Sequence, residues 1–208
     1  MQIAILDIQF SNADLANLDI LLVDSCTERG ALLADTLQNE GFRLVAVLSL
    51  EDDLLNAVEQ HSPDAVIIDL ESPGRDTLDT VRSLQSTLPR PLVMFSQNGE
   101  PDLIRKAVTA GVTAYVVDGI QTKHINPLLD EAIVRFEQHQ ALEAELAATK
   151  AQLRQRKLIE KAKGIVMKQR GCDEGAAYQL LRTQAMRQNK KLIDVADSVI
   201  TAAELLDP

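Results

Sequence analysis

Five short apolar runs punctuate residues 19–128: ILLVD (20–24), FRLVAVLS (42–49), DAVIID (64–69), PLVMFS (91–96) and AYVVD (114–118). They are rich in branched residues and bounded by turn formers, the pattern of strands buried on both faces. Between them the period lengthens to that of amphipathic helices. One helix is expected over 27–41, stopped by Gly41, and another over 52–61 with Leu54, Leu55 and Val58 on one face. Two more are expected over 76–87 and 101–112, and a further one begins near Asn126. Five βα units of this length predict an α/β domain: a five-stranded, doubly wound parallel sheet with helices on both faces. Residues 1–18 stand outside the alternation. Their run IAILDI (3–8) reads either as part of a flexible extension or as an added edge strand.

From about residue 128 the pattern changes. Between Leu128 and Gln169 there is no proline and a single glycine, Gly164, so one helix of roughly 40 residues and about 60 Å is expected. Leu142, Leu146, Thr149 and Leu153 recur at a 4-3-4 spacing, and Leu129, Ala132, Phe136 and His139 form a similar stripe upstream. Such a stripe needs cover. A two-chain coiled coil over 127–155 would supply it, as would folding back onto the preceding domain. Gly171 ends this helix and Asp173 caps the next, 173–188, whose apolar face is read as Ala177, Leu180, Leu181, Ala185 and Met186. A last helix over 193–206 points Val195, Val199, Ile200 and Ala203 one way. With Ile159, Ile165 and Val166 from the long helix, these make a small three-helix bundle over 150–208.

Composition adds compartment and charge. No apolar segment approaches a membrane span, and no secretory signal is expected at the N-terminus. Cys26 and Cys172 are far apart, with too few histidines for a metal cluster, which suits two reduced thiols in a cytoplasmic protein. The net charge of −10 seems to argue against nucleic acid, but its distribution does not. Residues 150–191 hold twelve Lys and Arg against three acids, a local +9 that leaves −19 for the remainder. The basic part is a candidate for a polyanion.

Asp69 closes the third strand, where chemistry on a parallel sheet usually sits. With Pro73 in its loop, Ser96 ending the fourth strand and Tyr115 entering the fifth, residues 19–126 resemble the response-regulator receiver domain. The resemblance implies the flavodoxin-like strand order and a phosphoacceptor aspartate at Asp69. It also implies Mg²⁺ held by that residue and an acidic pair, with a hydroxyl and a lysine gripping the phosphoryl group. A carboxylate attacks phosphorus only when cations offset the charge gathering on the phosphoryl oxygens. The sequence departs from this pattern. The acidic pair reads Asp24-Ser25, the lysine position is Asp118, and Gln97 replaces a small residue beside Ser96. Asp24, Ser96 and Asp118 therefore line an incomplete pocket, and Mg²⁺ at Asp24 and Asp69 is doubtful. The expectation is a pseudo-receiver that answers a protein partner, with phosphorylation of Asp69 the alternative.

The tail carries the more specific signal. RKLIEKAKG (156–164), VMKQRG (166–171), DEGAAYQLLR (173–182) and AM (185–186) resemble the ANTAR domain of the AmiR and NasT antitermination regulators. The resemblance implies binding to paired hairpins in nascent mRNA leaders. For a NasT-like member it further implies nitrate- and nitrite-assimilation targets and a solute-binding sensor that holds the protein inactive. Candidate RNA contacts are Lys157, Lys161, Lys163, Lys168, Arg182, Arg187, Lys190 and Lys191. Tyr178 either stacks on an unpaired base or packs half-buried. Gly164 costs about 1 kcal/mol in mid-helix relative to alanine, a cost that close approach of another helix or of an RNA backbone would justify. The reading is a dimeric, non-enzymatic RNA-binding antiterminator. Its rivals are a phosphorylated regulator of duplex DNA and a protein-interaction adaptor.

Overall fold

The computed structural model describes residues 18–25, 27–117 and 125–206. The calls on residues 1–17, Cys26 and Asp118 fall outside them. Five strands, β1 (Asp19–Asp24), β2 (Arg43–Leu48), β3 (Ala65–Leu70), β4 (Leu92–Ser96) and β5 (Ala114–Val117), form one parallel sheet in the order β2-β1-β3-β4-β5. The connecting helices are α1 (Thr27–Asn39), α2 (Leu54–His61), α3 (Arg75–Thr87) and α4 (Pro101–Ala110).

Because side chains alternate along a strand, each apolar run fills two cores at once. Leu21, Val23, Val66, Ile68 and Met94 meet α2, α3 and α4 through Leu54, Val58, Val81, Leu84 and Ala107. Ile20, Leu22, Ile67, Val93 and Phe95 face the other way, against Leu33 and Leu37 of α1. That second core is completed by Ile125, Leu129 and Ala132, from the first turns of α5 (Ile125–Arg170). Each fully buried leucine or isoleucine stabilises by roughly 1.5–3 kcal/mol. The α2 helix starts at Leu54, two residues later than its pattern suggests. Asp53 serves as its N-cap, accepting from the Asn56 amide at 3.1 Å.

The upstream stripe of α5 is thus covered by the α/β unit as far as Ala132, while residues 141–157 are exposed on every side. From residue 140 the helix belongs to a second compact unit, residues 140–208, with α6 (Glu174–Gln188) and α7 (Leu192–Leu206). Its core is Ala162, Leu181, Ala185, Val195, Ala196 and Ile200, flanked by Leu158, Ile159, Ile165 and Val166. The expected face of α6 needs correction. Leu180 and Met186 are 48% and 74% exposed, and the buried residues are Ala177, Leu181 and Ala185. The buried apolar residues of this unit include alanines at 162, 177, 185 and 196 beside Leu181, Val195 and Ile200, and Leu180 and Met186 stand one position off the buried 177-181-185 row. Among the described residues no helix is long and apolar enough to cross a membrane.

One cation ties this unit together. The Lys163 side chain is 8% exposed, and its Nζ lies 2.8 Å from Glu160 Oε1 and 2.6 Å from Glu174 Oε1, joining α5 to the start of α6. The hydrogen bonds to Glu160 and then Glu174 raise the lysine above its ordinary 10.5. The bond from Lys163 in turn holds Glu174 below its ordinary 4.5. A depressed carboxyl contributes stability above its unfolded value and loses it as pH falls through the folded one. A raised lysine contributes below 10.5 and loses it as pH climbs through the folded value. We therefore expect Lys163→Ala to lower the thermal midpoint at neutral pH. The gap from the parent chain should close as pH falls from about 5 to about 3. Melting followed by circular dichroism across that range checks this; a gap independent of pH would show that the ion pairs contribute nothing.

Candidate phosphoacceptor pocket and nucleic-acid interface

The register of β1 and β3 places Asp24 beside Asp69 at the carboxyl end of the sheet. Asp24 is buried, Asp69 partly so, and the Ser25 amide donates to the Asp69 carbonyl at 3.2 Å. Ser96, next to Leu70 in the β3–β4 register, is buried at the end of β4. The three expected residues therefore converge.

The surroundings of Ser96 were not foreseen. Its hydroxyl donates to the Glu71 carbonyl at 2.9 Å and accepts from the Asn98 amide at 3.1 Å. Gln97, itself exposed, donates its amide to the same Glu71 carbonyl at 3.2 Å. Asn98 then binds Ser72 Oγ through its side-chain amide at 3.1 Å, and the Tyr115 hydroxyl donates to the Asn98 carbonyl at 2.8 Å. Gly99 completes the closure. A Cβ there would stand 3.1 Å from Val117 Cγ1, so the loop after β4 lies tight against β5. The loops after β3 and β4, which would have to open around a phosphoryl group, are laced to one another.

A hydroxyl has one proton, and here that of Ser96 is directed to a main-chain carbonyl. Among the described residues no group of three or more His, Cys, Asp and Glu is placed to hold a metal ion. Two carboxylates on adjacent strands, with Ser25 where a further acid would stand, leave the magnesium position of this fold one acid short.

The second surface lies on α5. At 100° per residue, Lys157, Lys161, Gly164 and Lys168 fall within about 60° of one another, opposite Leu158, Ala162 and Val166 of the core. Lys150 and Arg154 extend the same face, giving a 4-3-4-3-4 series from 150 to 168 in which every position is exposed. The stripe runs about 27 Å. Helical spacing could have identified Lys150 and Arg154 at the outset, just as it identifies the apolar seam. Lys161 pairs with Glu204 of α7 at 2.7 Å; no ion pair among the described residues holds Lys157 or Lys168. Lys163 is different in kind, since it lies off this face and its charge is already met by two carboxylates.

On α6, Tyr178, Arg182 and Met186 recur at intervals of four and form an exposed row, with Tyr178 a little over one third exposed. Arg187, five residues from Arg182, points about 140° away. Lys190 and Lys191 lie in the turn after the Asn189 cap, both exposed.

Residues 20–130 match the response regulator receiver domain family, and residues 147–200 match the ANTAR domain family. The chain is 32% identical over 168 residues to the transcriptional regulatory protein PdtaR of Mycobacterium tuberculosis, spanning 81% of this chain and 82% of that one. A stretch of 75 residues is 40% identical to the nitrate regulatory protein of Klebsiella oxytoca, covering 35% of this chain and 19% of that protein. The signal receiver domain of a modulated diguanylate cyclase from Desulfovibrio desulfuricans G20 shares the fold, with a TM-score of 0.52 at 15% identity over 59% of this chain and 98% of that domain. With both family matches in sequence and four fifths of PdtaR covered, this chain belongs to the response regulators that join a receiver domain to an ANTAR domain.

Proposed function

We propose that the chain is a transcription antitermination regulator that binds hairpins in nascent mRNA leaders through residues 150–208. The observation that carries this is the exposed series Lys150, Arg154, Lys157, Lys161 and Lys168 along α5, turned away from its own core in the unit that matches the ANTAR family. Lysines spaced along a rigid helix neutralise a run of phosphates, and the released counterions supply affinity that falls with salt. The row Tyr178, Arg182 and Met186 offers the π-face, guanidinium and thioether on which unpaired loop bases stack. An A-form stem and open loop suit such a surface better than duplex DNA, because no short recognition helix carries the charge.

The chain acts as a homodimer through α5. Leu142, Leu146 and Leu153 are 65%, 53% and 54% exposed, and their heptad spacing fits a seam with a second copy. Glu145 and Lys150, five residues apart, flank that seam as opposite charges which a parallel pair would bring together. The receiver unit answers a protein rather than phosphate; its laced loops and its serine hydroxyl, directed to a main-chain carbonyl, support this reading. We infer that the partner is a solute-binding type sensor and that the transcripts encode nitrate and nitrite assimilation, for which the likeness to the nitrate regulatory protein is the support.

Three outcomes are expected. In filter binding with a two-hairpin leader, Lys157→Gln with Lys168→Gln should weaken binding about tenfold or more. The slope of log affinity against log salt should become shallower by roughly 1.5–2. Equal competition by duplex DNA would sink the RNA assignment. Leu146→Asp should halve the mass in sedimentation equilibrium, and an unchanged mass would remove the long helix from dimerisation. Incubation with acetyl phosphate and Mg²⁺ should add no mass at Asp69, whereas protein captured from nitrate-free cells should suppress RNA binding. A phosphorylated Asp69 with altered RNA affinity would reverse the assignment of the input.

A further inference from the structure

Gly164 sits in the middle of α5, where glycine is the poorest helix former after proline. Two reasons inside the molecule would account for it, and neither holds. Its backbone is helical rather than left-handed, so no positive φ requires it. Nor does a neighbouring helix press upon it, because a Cβ built there meets nothing within 4 Å. The residue is exposed, on the side of α5 opposite Ala162 and Val166. Whatever needs the missing side chain comes from outside.

The neighbours on that face say what it is. Lys161 and Lys157 lie one and two turns before Gly164 and Lys168 one turn after it, while Glu160, also about one turn before, turns its carboxylate to the Lys163 ammonium at 2.8 Å. All are exposed, with Gly164 the one uncharged position in the series from Lys150 to Lys168. Lys161 already holds an anion, the Glu204 carboxylate at 2.7 Å. A second copy of the same face is an unsuitable occupant, since symmetric pairing would set Lys157, Lys161 and Lys168 against themselves. A polyanion suits it.

We propose that Gly164 is a contact notch: the sugar-phosphate backbone of bound RNA crosses α5 at this residue and rests against the helix main chain, clamped by Lys157 and Lys161 on one side and Lys168 on the other. The absent side chain lets the phosphodiester approach closer than any other residue would permit, which shortens the reach of the flanking ammonium groups and strengthens their contacts. Glu204 gives way to a phosphate at Lys161, a small cost for an exposed pair. This inference rests on the RNA reading above and adds to it the point of closest approach.

The test uses the full chain and a two-hairpin leader RNA, with Gly164→Ala and Gly164→Gln beside the Lys157→Gln, Lys168→Gln pair. Alanine is the better helix former, so the thermal midpoint of Gly164→Ala should stay level or rise, which separates binding from folding. RNA affinity should fall about tenfold with alanine and further with glutamine, while the sedimenting mass is unchanged. If both glycine variants bind as tightly as the parent while the lysine pair weakens binding, the notch is wrong and the RNA interface stands. Should neither set alter binding, the interface itself is misplaced. A change of mass in place of affinity would assign the face to a second copy and overturn the proposal.

Discussion

At 3.6 residues per turn, α5 cannot turn Leu158, Ala162 and Val166 into a core without turning Lys157, Lys161, Gly164 and Lys168 out of it. That periodicity is the constraint on which the C-terminal unit depends. It sorts the residues of one segment into an apolar stripe that holds α6 and α7 and a cationic stripe whose one ion pair to the rest of the unit, among the described residues, is Lys161 with Glu204. Lys163 shows what happens between the two. Lying off the outward face, its stem is buried beside the core and its ammonium is drawn to Glu160 and Glu174, so it serves the bundle instead of the surface. Four lysines within twelve residues thus have distinct physical duties, set by angle rather than by charge.

The same geometry limits the receiver unit in a different way. A parallel sheet delivers Asp24, Asp69 and Ser96 to one end because its register leaves them no other place. Delivery is not chemistry. Phosphoryl transfer needs cations where charge develops and a donor turned toward it; here the Ser96 hydroxyl donates to Glu71, and Asn98 is held by Ser72 and Tyr115. A site so arranged conserves the fold's architecture while its hydrogen bonds hold the two loops in a fixed relation. Such loops present a stable surface, the property wanted of a unit that is recognised by another protein.

Much of this could be read from the residues because the controlling signals are local. Branched runs, Gly41 after α1, Pro101 at the start of α4 and the Asp173 cap fix element type and ends within a few positions. The α6 face was misjudged for a physical reason. Hydrophobicity ranks Leu180 and Met186 above Ala177 and Ala185, yet the angle about the helix decides which row is buried, and it selects 177-181-185. The lacing of the receiver loops was unreadable for another: it runs through main-chain carbonyls of Glu71 and Asn98, and main-chain groups carry no residue identity. The basic stripe lay between these cases. Its spacing was present in the sequence, but counting charges over a segment hides the angle at which each one stands.

That angle also bears on how an acidic chain would bind a polyanion, as proposed above. Net charge acts over distance, and at physiological ionic strength fields fade within about 8 Å. The sign of a patch therefore outweighs the sign of the molecule. In α7 the described residues carry Asp194, Asp197 and Glu204 without a single Lys or Arg, while the outward side of α5 carries five Lys and Arg from 150 to 168 and one acid, Glu160, which is paired with Lys163. Under the proposed RNA reading, phosphates approaching the bundle would meet attraction on one helix and repulsion on another, which would orient the ligand before any base is touched. The surplus of acid elsewhere in the chain is no obstacle to this. Under the same reading it would disfavour nucleic acid at the receiver unit and leave the stripe as the place where a phosphate backbone settles.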